Sequence, residues 1–205
     1  MHQARGVRGL ANASRLEKQV WEQFHADSEA IAAEAQQAYE RLPVVALGAE
    51  HLVIGSLMRR NVLAYKAPEG NEGYDLICIH PDPRHRPKPK QRSQVRVQVK
   101  SRFATDCDRG VLVRPETVDA FDYLVAVFMN IGRFQRGRDG TEGKADVEFY
   151  TLPATFIRKH QNKGGWRKLF LRGMGAQLEP YADEVGFEQV AKDLGVPRPS
   201  RLTKG

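Results

Sequence analysis

The segment 95–102, VRVQVKSR, alternates between apolar and polar side chains as far as Lys100, and this pattern constrains the fold more than any other feature of the chain. Valine occupies positions 95, 97 and 99, and the residues between and after the valines are polar. Because successive side chains of a strand point to opposite faces, the segment is predicted to be a β-strand with one buried face. The polar face carries Arg96, Gln98 and Lys100.

Helical patterns precede this strand, and further strand patterns surround it. We expect helices over 14–41 and 44–60, strands over 61–66, 74–80, 95–102, 121–130 and 147–152, and helices beginning at Pro153 and spanning 182–194. Helices before and after a run of strands predict an α/β fold, a three-layer sandwich with a mixed central sheet flanked by helices. The expected organisation is an N-terminal arm and helix over 1–43, a core over 44–160 and a C-terminal extension over 161–205.

Composition excludes several classes of protein. The 205 residues suffice for one domain, and no apolar run reaches the ~20 residues of a membrane-spanning helix. The start of the chain has no apolar segment of the kind that a secretory signal needs. Cys78 and Cys107 are too few for a disulfide framework, so we expect a cytoplasmic protein without a membrane partner. Asp106, Cys107 and Asp108 are residue types that can bind a metal ion. No second group of such residues follows at the spacing of a metal site, so the three are interpreted as a turn.

Positive charge is concentrated in one part of the chain. Residues 81–102 contain eight Lys or Arg and one acid, which equals the net charge of +7 of the whole chain. Clustered basic charge is typical of nucleic-acid binding, although a solvated loop is the alternative. The predicted nucleic-acid-binding residues are Arg84, Arg86, Lys88, Lys90, Arg92 and Arg102.

Four polar residues stand where a core alone would favour apolar ones. Asp75 opens the second strand, and Gln98 and Lys100 share a face of the third, with Cα atoms roughly 6.6 Å apart. Glu50 lies beside apolar positions of the second helix, which we expect to cover that face of the sheet. Asp75, Gln98 and Glu50 offer oxygen ligands for a hard cation such as Mg²⁺, and Lys100 offers a positive charge for a phosphate.

Each residue also has a structural interpretation. Asp75 suits a turn before a strand, and Glu50 suits a surface ion pair. Gln98 and Lys100 would also fit the solvated face of an edge strand.

The arrangement resembles the PD-(D/E)xK nuclease superfamily, in the pattern of its Holliday-junction-resolvase-like and Vsr-like members. The segments that resemble it, all within 45–160, are GAEHLVIGSLMRRN for the helix, GYDLICI for the strand with the aspartate, VQVKS for the (D/E)xK strand and FDYLVAVF for a later core strand. The resemblance implies a restriction-endonuclease-like fold with Glu50, Asp75, Gln98 and Lys100 at the catalytic site. It also implies Mg²⁺ or Mn²⁺ at Asp75, Gln98 and Glu50, DNA in duplex or branched form as the partner, and a homodimer acting on two strands.

Two positions depart from the family pattern. Tyr74 replaces the proline that precedes the aspartate in the family pattern. That proline makes no metal contact. Gln98 replaces the acid two residues before the lysine, and a carboxamide brings an oxygen ligand without a negative charge. The sequence therefore leaves two functions open, a metal-dependent DNA endonuclease and an inactive nuclease-fold module that binds nucleic acid or a protein. A third interpretation, a purely structural α/β protein, also remains open.

Overall fold

The computed structural model describes residues 42–68, 70–133, 144–161 and 168–197, and those from 45 onwards belong to one compact unit. The expected helix over 14–41 lies outside the described residues. No helix within the described ranges is long and apolar enough to cross a membrane.

A five-stranded mixed sheet forms the centre of this unit, in the order β1-β2-β3-β5-β6. The strands are β1 (Leu63–Lys66), β2 (Leu76–Ile79), β3 (Gln94–Ala104), β5 (Tyr123–Gly132) and β6 (Glu148–Pro153). The first three strands pair antiparallel, β5 runs parallel to β3, and β6 returns antiparallel to β5. The alternating segment is thus the middle strand of the sheet, and the edge-strand interpretation of Gln98 and Lys100 is wrong.

The parallel pair requires a crossover connection, because the chain must return from the end of β3 to the level of its start before β5 can run in the same direction. The crossover contains β4 (Gly110–Leu112) and a short 3₁₀ helix (Pro115–Thr117). After β6, the strand β7 (Lys168–Phe170) pairs antiparallel with β4 and makes a separate two-stranded sheet. Two more 3₁₀ turns follow, at Gly175–Gln177 and Glu179–Tyr181.

Three α-helices pack around the sheet within the described residues, namely α1 (Leu42–Met58), α2 (Ala154–His160) and α3 (Asp183–Asp193). All three were expected from the sequence within a few residues. Arg60, just beyond α1, forms ion pairs with Glu184 and Glu188 of α3, which tie the two helices together.

Two apolar clusters lie on the two faces of the sheet. The first joins the valine face of β3 to the buried side of α1, at Ala49, Val53 and Leu57, and to α3. The second joins the opposite face of β5, including Leu124 and Phe128, to β4, β7 and α2. The α/β class and the mixed sheet flanked by helices are therefore confirmed.

The face that α1 covers differs from the expectation. The helix packs on the valine side of β3, whereas Gln98 and Lys100 point to the other side. The buried stripe of α1 follows Ala49, Val53 and Leu57, whereas Leu47 of the same helix is 43% exposed.

Candidate active site

Asp75 and Gln98 meet because of the register between β2 and β3. Leu76 pairs with Val97, so the residue before Leu76 lies opposite the residue after Val97. The backbone of Asp75 continues the ladder, with its N–H donating to the Val97 carbonyl at 2.9 Å and its carbonyl accepting from Ala67 at 2.7 Å. The position of the aspartate is therefore fixed on both sides by main-chain hydrogen bonds.

The Asp75 carboxylate is held by two donors. Its Oδ2 accepts hydrogen bonds from Gln98 Nε2 at 2.7 Å and from the backbone N–H of Val99 at 2.6 Å. Gln98 is only 8% exposed, so its amide is largely withdrawn from water. Asp75 Oδ1 and Gln98 Oε1 accept no hydrogen bond from the described residues, and both oxygens remain available as ligands.

Gly73 shapes the chain that leads into Asp75. Its φ of +103° belongs to a region that L side chains rarely adopt, and an added Cβ would lie 2.3 Å from the Cβ of Ala120. The turn before β2 therefore packs directly on the crossover that leads to β5. Tyr74 follows, and the Arg96 guanidinium lies 5.9 Å from the centre of its ring.

Lys100 lies on the same face of β3 as Gln98, two residues further along. It pairs with Ala126 of β5, which is fully buried in the second apolar cluster. The lysine is half-buried, and its ammonium group makes no hydrogen bond or ion pair in the part of the chain that the structure describes. Such a positive charge beside a carboxylate-amide pair is suited to an anionic ligand.

Glu50 reaches the same end of the sheet from the valine side. Its carboxylate forms an ion pair with Lys66 of β1 at 2.9 Å, and the Glu50 side chain is only one-fifth exposed. The structure thus brings Asp75, Gln98 and Lys100 together on one face and gives Glu50 a separate partner.

Asp75 and Gln98 together offer a hard cation two oxygen ligands, of which only one carries a negative charge. Mg²⁺ characteristically uses one or two carboxylates and completes its coordination with water and substrate phosphates. Asp75 Oδ1 and Gln98 Oε1 supply one charged and one neutral oxygen. Across the described ranges no group of three or more His, Cys, Asp or Glu side chains is placed to hold a metal ion.

The six residues predicted to bind nucleic acid divide into two groups. Arg86, Lys88 and Lys90 are exposed and form no ion pair among the described residues. The other three already have carboxylate partners: Arg84 pairs with Asp82, Arg92 with Asp122 and Asp193, and Arg102 with Asp108.

Contacts within the loop that carries Arg86, Lys88 and Lys90 stabilise it near both of its ends. The rings of His80 and His85 stack with their centres 3.8 Å apart, and Gln91 Oε1 accepts a hydrogen bond from the Lys88 N–H at 2.8 Å. This loop joins β2 to β3 at the end of the hairpin remote from Asp75, roughly 17 Å away along β2.

Two ion-pair networks on the Lys100 face escaped the sequence analysis. In the first, Asp108 accepts hydrogen bonds from Lys168 Nζ at 2.7 Å and from Arg102 at 2.8 Å. The hydrogen bond from the Lys168 ammonium is the main reason why the pKa of Asp108 lies below its usual range. Residues 105–107 form the expected turn, but the partners of Asp108 are six and sixty residues away, and no local pattern indicates them.

The second network centres on Arg109 and Glu148. The guanidinium lies 3.9 Å from the centre of the Phe128 ring and bonds to both oxygens of Glu148, at 2.7 and 3.1 Å. Burial on its own would raise the pKa of Glu148, but hydrogen bonds from Arg109, Asn130 and Tyr150 together hold this pKa below its usual range. These groups connect β5 and β6 to the start of β4.

Comparison with known proteins leaves the family of this chain unassigned. No protein-family model matches it, and no curated protein matches it at a significant level. The resemblance to the PD-(D/E)xK superfamily therefore stays a prediction.

Proposed function

We propose that this protein hydrolyses phosphodiester bonds of DNA in a metal-dependent reaction at Asp75, Gln98 and Lys100. The observation that carries the proposal is the convergence of these three side chains at the middle of the central strand β3, beside the start of β2, with the Lys100 ammonium unpaired among the described residues. A valine or leucine at each position would serve a core better, because a buried polar group is unfavourable unless it is bonded or used.

The topology supports a restriction-endonuclease-like core for this site. A helix, three antiparallel strands, a crossover and a strand parallel to the third follow one another from α1 to β5. The segments identified by resemblance correspond to α1, β2, β3 and β5 in that order. The aspartate precedes β2 and the lysine lies on β3, as the resemblance implies.

Each residue has a distinct role in the proposed reaction. Asp75, fixed by Val99 and Gln98, would hold the cation through one carboxylate oxygen, and Gln98 would add a neutral oxygen ligand. When bound, Mg²⁺ or Mn²⁺ supplies Lewis-acid polarisation of the phosphate and makes a water molecule more acidic. Lys100 stabilises the negative charge that develops on the phosphate oxygens, in a half-buried position where electrostatic interactions are stronger than in water. Glu50 is left out of this set because Lys66 neutralises its carboxylate.

The exposed cations of the loop extend the contact with nucleic acid. Arg86, Lys88 and Lys90 would bind backbone phosphates without reading the sequence, and their contribution would fall as the salt concentration rises. They act at a distance from Asp75, so a substrate that engages both regions is an extended duplex or branched DNA.

A second candidate function, nucleic-acid binding without hydrolysis, is favoured by one contact. Gln98 donates a hydrogen bond to Asp75, and a neutral donor stabilises the carboxylate without any metal. A glutamate at this position would instead need either a cation between the two carboxylates or protonation of one of them. The QxK strand is therefore compatible with a site that keeps the architecture and binds the metal weakly.

The test is cleavage of supercoiled plasmid and of a branched oligonucleotide in Mg²⁺, in Mn²⁺ and in EDTA. The proposal predicts metal-dependent cutting that is lost in Asp75→Asn and in Lys100→Ala. Folded protein that binds DNA and cuts neither substrate in either metal would reject hydrolysis in favour of the second candidate. The absence of both cutting and binding would contradict both candidates.

A further inference from the structure

A cluster of charged residues next to Lys100 has no role in the proposed hydrolysis. It consists of Arg102, Asp108 and Lys168, which we call the Asp108 cluster. The Asp108 carboxylate accepts hydrogen bonds from Arg102 Nη2 at 2.8 Å, from Lys168 Nζ at 2.7 Å and from the backbone N–H of Gly110 at 3.0 Å. One carboxylate thus joins β3, β4 and β7.

Counted over these three side chains alone, the cluster carries a net charge of +1. Asp108 contributes one negative charge, whereas its two partners contribute two positive charges. The Arg102 side chain is 38% exposed and that of Lys168 is 24% exposed, so both cations remain accessible from solvent. Arg102 uses one N–H group for Asp108, and its other N–H groups make no hydrogen bond to the described residues.

The position of the cluster relates it to the proposed active site. Arg102 follows Lys100 by two residues on the same face of β3, so their Cα atoms are about 6.6 Å apart. Lys168 comes from β7, which lies against the same face through Leu169. Close packing fixes this corner, because a Cβ on Gly110 would lie 3.1 Å from the Phe170 ring and 3.3 Å from Asp108 Oδ1.

We propose that Arg102 and Lys168, positioned by Asp108, bind the phosphate that neighbours the one facing Lys100 on the same nucleic-acid strand. This inference rests on the proposed function, since it takes the phosphate at Lys100 as its reference. Consecutive phosphates of a strand have a spacing similar to that of residues i and i+2 on β3. A guanidinium is well suited to a phosphate because its planar donors can bind two oxygens together. The cluster would thereby align the backbone across the site.

The alternative is that the Asp108 cluster only fastens β7 to the sheet. That role needs Asp108 and its hydrogen bonds, but it makes no contact with phosphate. The dependence of DNA affinity on salt separates the two roles, because each phosphate neutralised by the protein adds about 0.9 to the slope of log K against log salt for duplex DNA. Fastening alone leaves this slope unchanged.

The experiment measures DNA binding in EDTA by fluorescence anisotropy, between about 50 and 200 mM NaCl. The double variant Arg102→Gln/Lys168→Met should lower the magnitude of the salt slope by about 0.9, the value for one phosphate. Arg158→Gln is the matched control, since Arg158 is an exposed arginine of α2 with a carboxylate partner, Asp119. It should leave the slope at the wild-type value. If the double variant does not fold, Arg102→Gln carries the test beside Arg102→Lys, which keeps the charge and should retain the slope.

The possible failures are distinguishable. A wild-type slope in the folded double variant, with normal DNA binding, would overturn the second phosphate site and leave the proposed hydrolysis intact. A lowered slope in a protein that binds DNA without cutting it would support the phosphate site and favour the non-hydrolytic candidate. Wild-type protein without affinity for DNA would overturn the inference together with the proposed function.

Discussion

Replacing Gln98 by glutamate tests the contact at the centre of the site. In the wild-type protein, Gln98 Nε2 donates a hydrogen bond to Asp75 Oδ2 at 2.7 Å, in an environment with little access to water. The substitution Gln98→Glu removes this donor and places a second carboxylate against the first. The shape of the side chain is preserved, so any effect reports on charge and hydrogen bonding rather than on packing.

The expected loss of stability has a lower and an upper bound. Losing a hydrogen bond to a charged acceptor lowers the free energy of unfolding by about 1.5 kcal/mol or more. The repulsion between the carboxylates is limited by protonation of one of them. From an ordinary glutamate pKa of about 4.3, protonation at pH 7 requires about 3.7 kcal/mol. The variant should therefore be less stable than wild type by about 1.5 to 4 kcal/mol at pH 7 in EDTA.

The loss should diminish at low pH. The second carboxyl of the pair has its pKa raised in the folded state, so its protonated form is favoured by folding. Such a group contributes stability below its unfolded pKa and loses that contribution as the pH rises through the folded pKa. At pH about 4.5 the protonated carboxyl can donate to Asp75, and the difference from wild type should shrink.

Mg²⁺ should restore the stability of Gln98→Glu more than that of wild type. Two carboxylates bind a divalent cation better than a carboxylate and an amide. A ligand present at one hundred times its Kd stabilises the folded state by about 2.7 kcal/mol. Urea unfolding, followed by circular dichroism with Mg²⁺ or EDTA at both pH values, measures all of these effects.

The control is Gln94→Glu, at an exposed position that begins the same strand. Its stability should stay within about 0.5 kcal/mol of wild type in every buffer. The reasoning would be refuted if Gln98→Glu matched wild type at pH 7 in EDTA and gained nothing from Mg²⁺.

The remaining predictions concern Glu50, Gly73 and Glu148. Glu50→Gln should keep cleavage within a few fold of wild type, because the carboxylate is paired with Lys66; abolished cleavage in a folded variant would place Glu50 in the reaction. Gly73→Ala should destabilise by roughly 1–3 kcal/mol through its positive φ and the close contact with Ala120, and an unchanged urea midpoint would contradict that packing. Since the pKa of Glu148 is lowered, its contribution is present above an unfolded pKa of about 4.3 and lost as the pH falls further. Glu148→Gln should therefore show a shallower loss of stability below about pH 4 than wild type, and identical acid titrations would refute this.

The local elements of the fold could be predicted because their patterns are strong. The alternation at 95–102 identified β3, and the apolar and helix-favouring segments identified α1 and α3. Each of these signals depends on residues close together in the chain.

Features that depend on distant residues could not be predicted. The side of the sheet that α1 covers is decided by how Ala49, Val53 and Leu57 fit against the valines, and a hydropathy pattern has no information about it. Strand β7 has three residues and forms only through pairing with β4. The partners of Arg92 and Arg102 likewise come from other elements, so the sequence could not show which cations of the basic segment are paired with carboxylates.

Cleavage by Lys100→Met beside Lys192→Met tests the central claim most directly. Both substitutions remove one lysine charge; Lys100 lies on the proposed site, whereas Lys192 is exposed on α3, which packs on the valine side of the sheet. The account predicts that Mg²⁺-dependent cutting of supercoiled plasmid is lost in Lys100→Met and retained in Lys192→Met, with both variants folded. Equal cutting by the two variants would contradict the assignment of the active site to Asp75, Gln98 and Lys100.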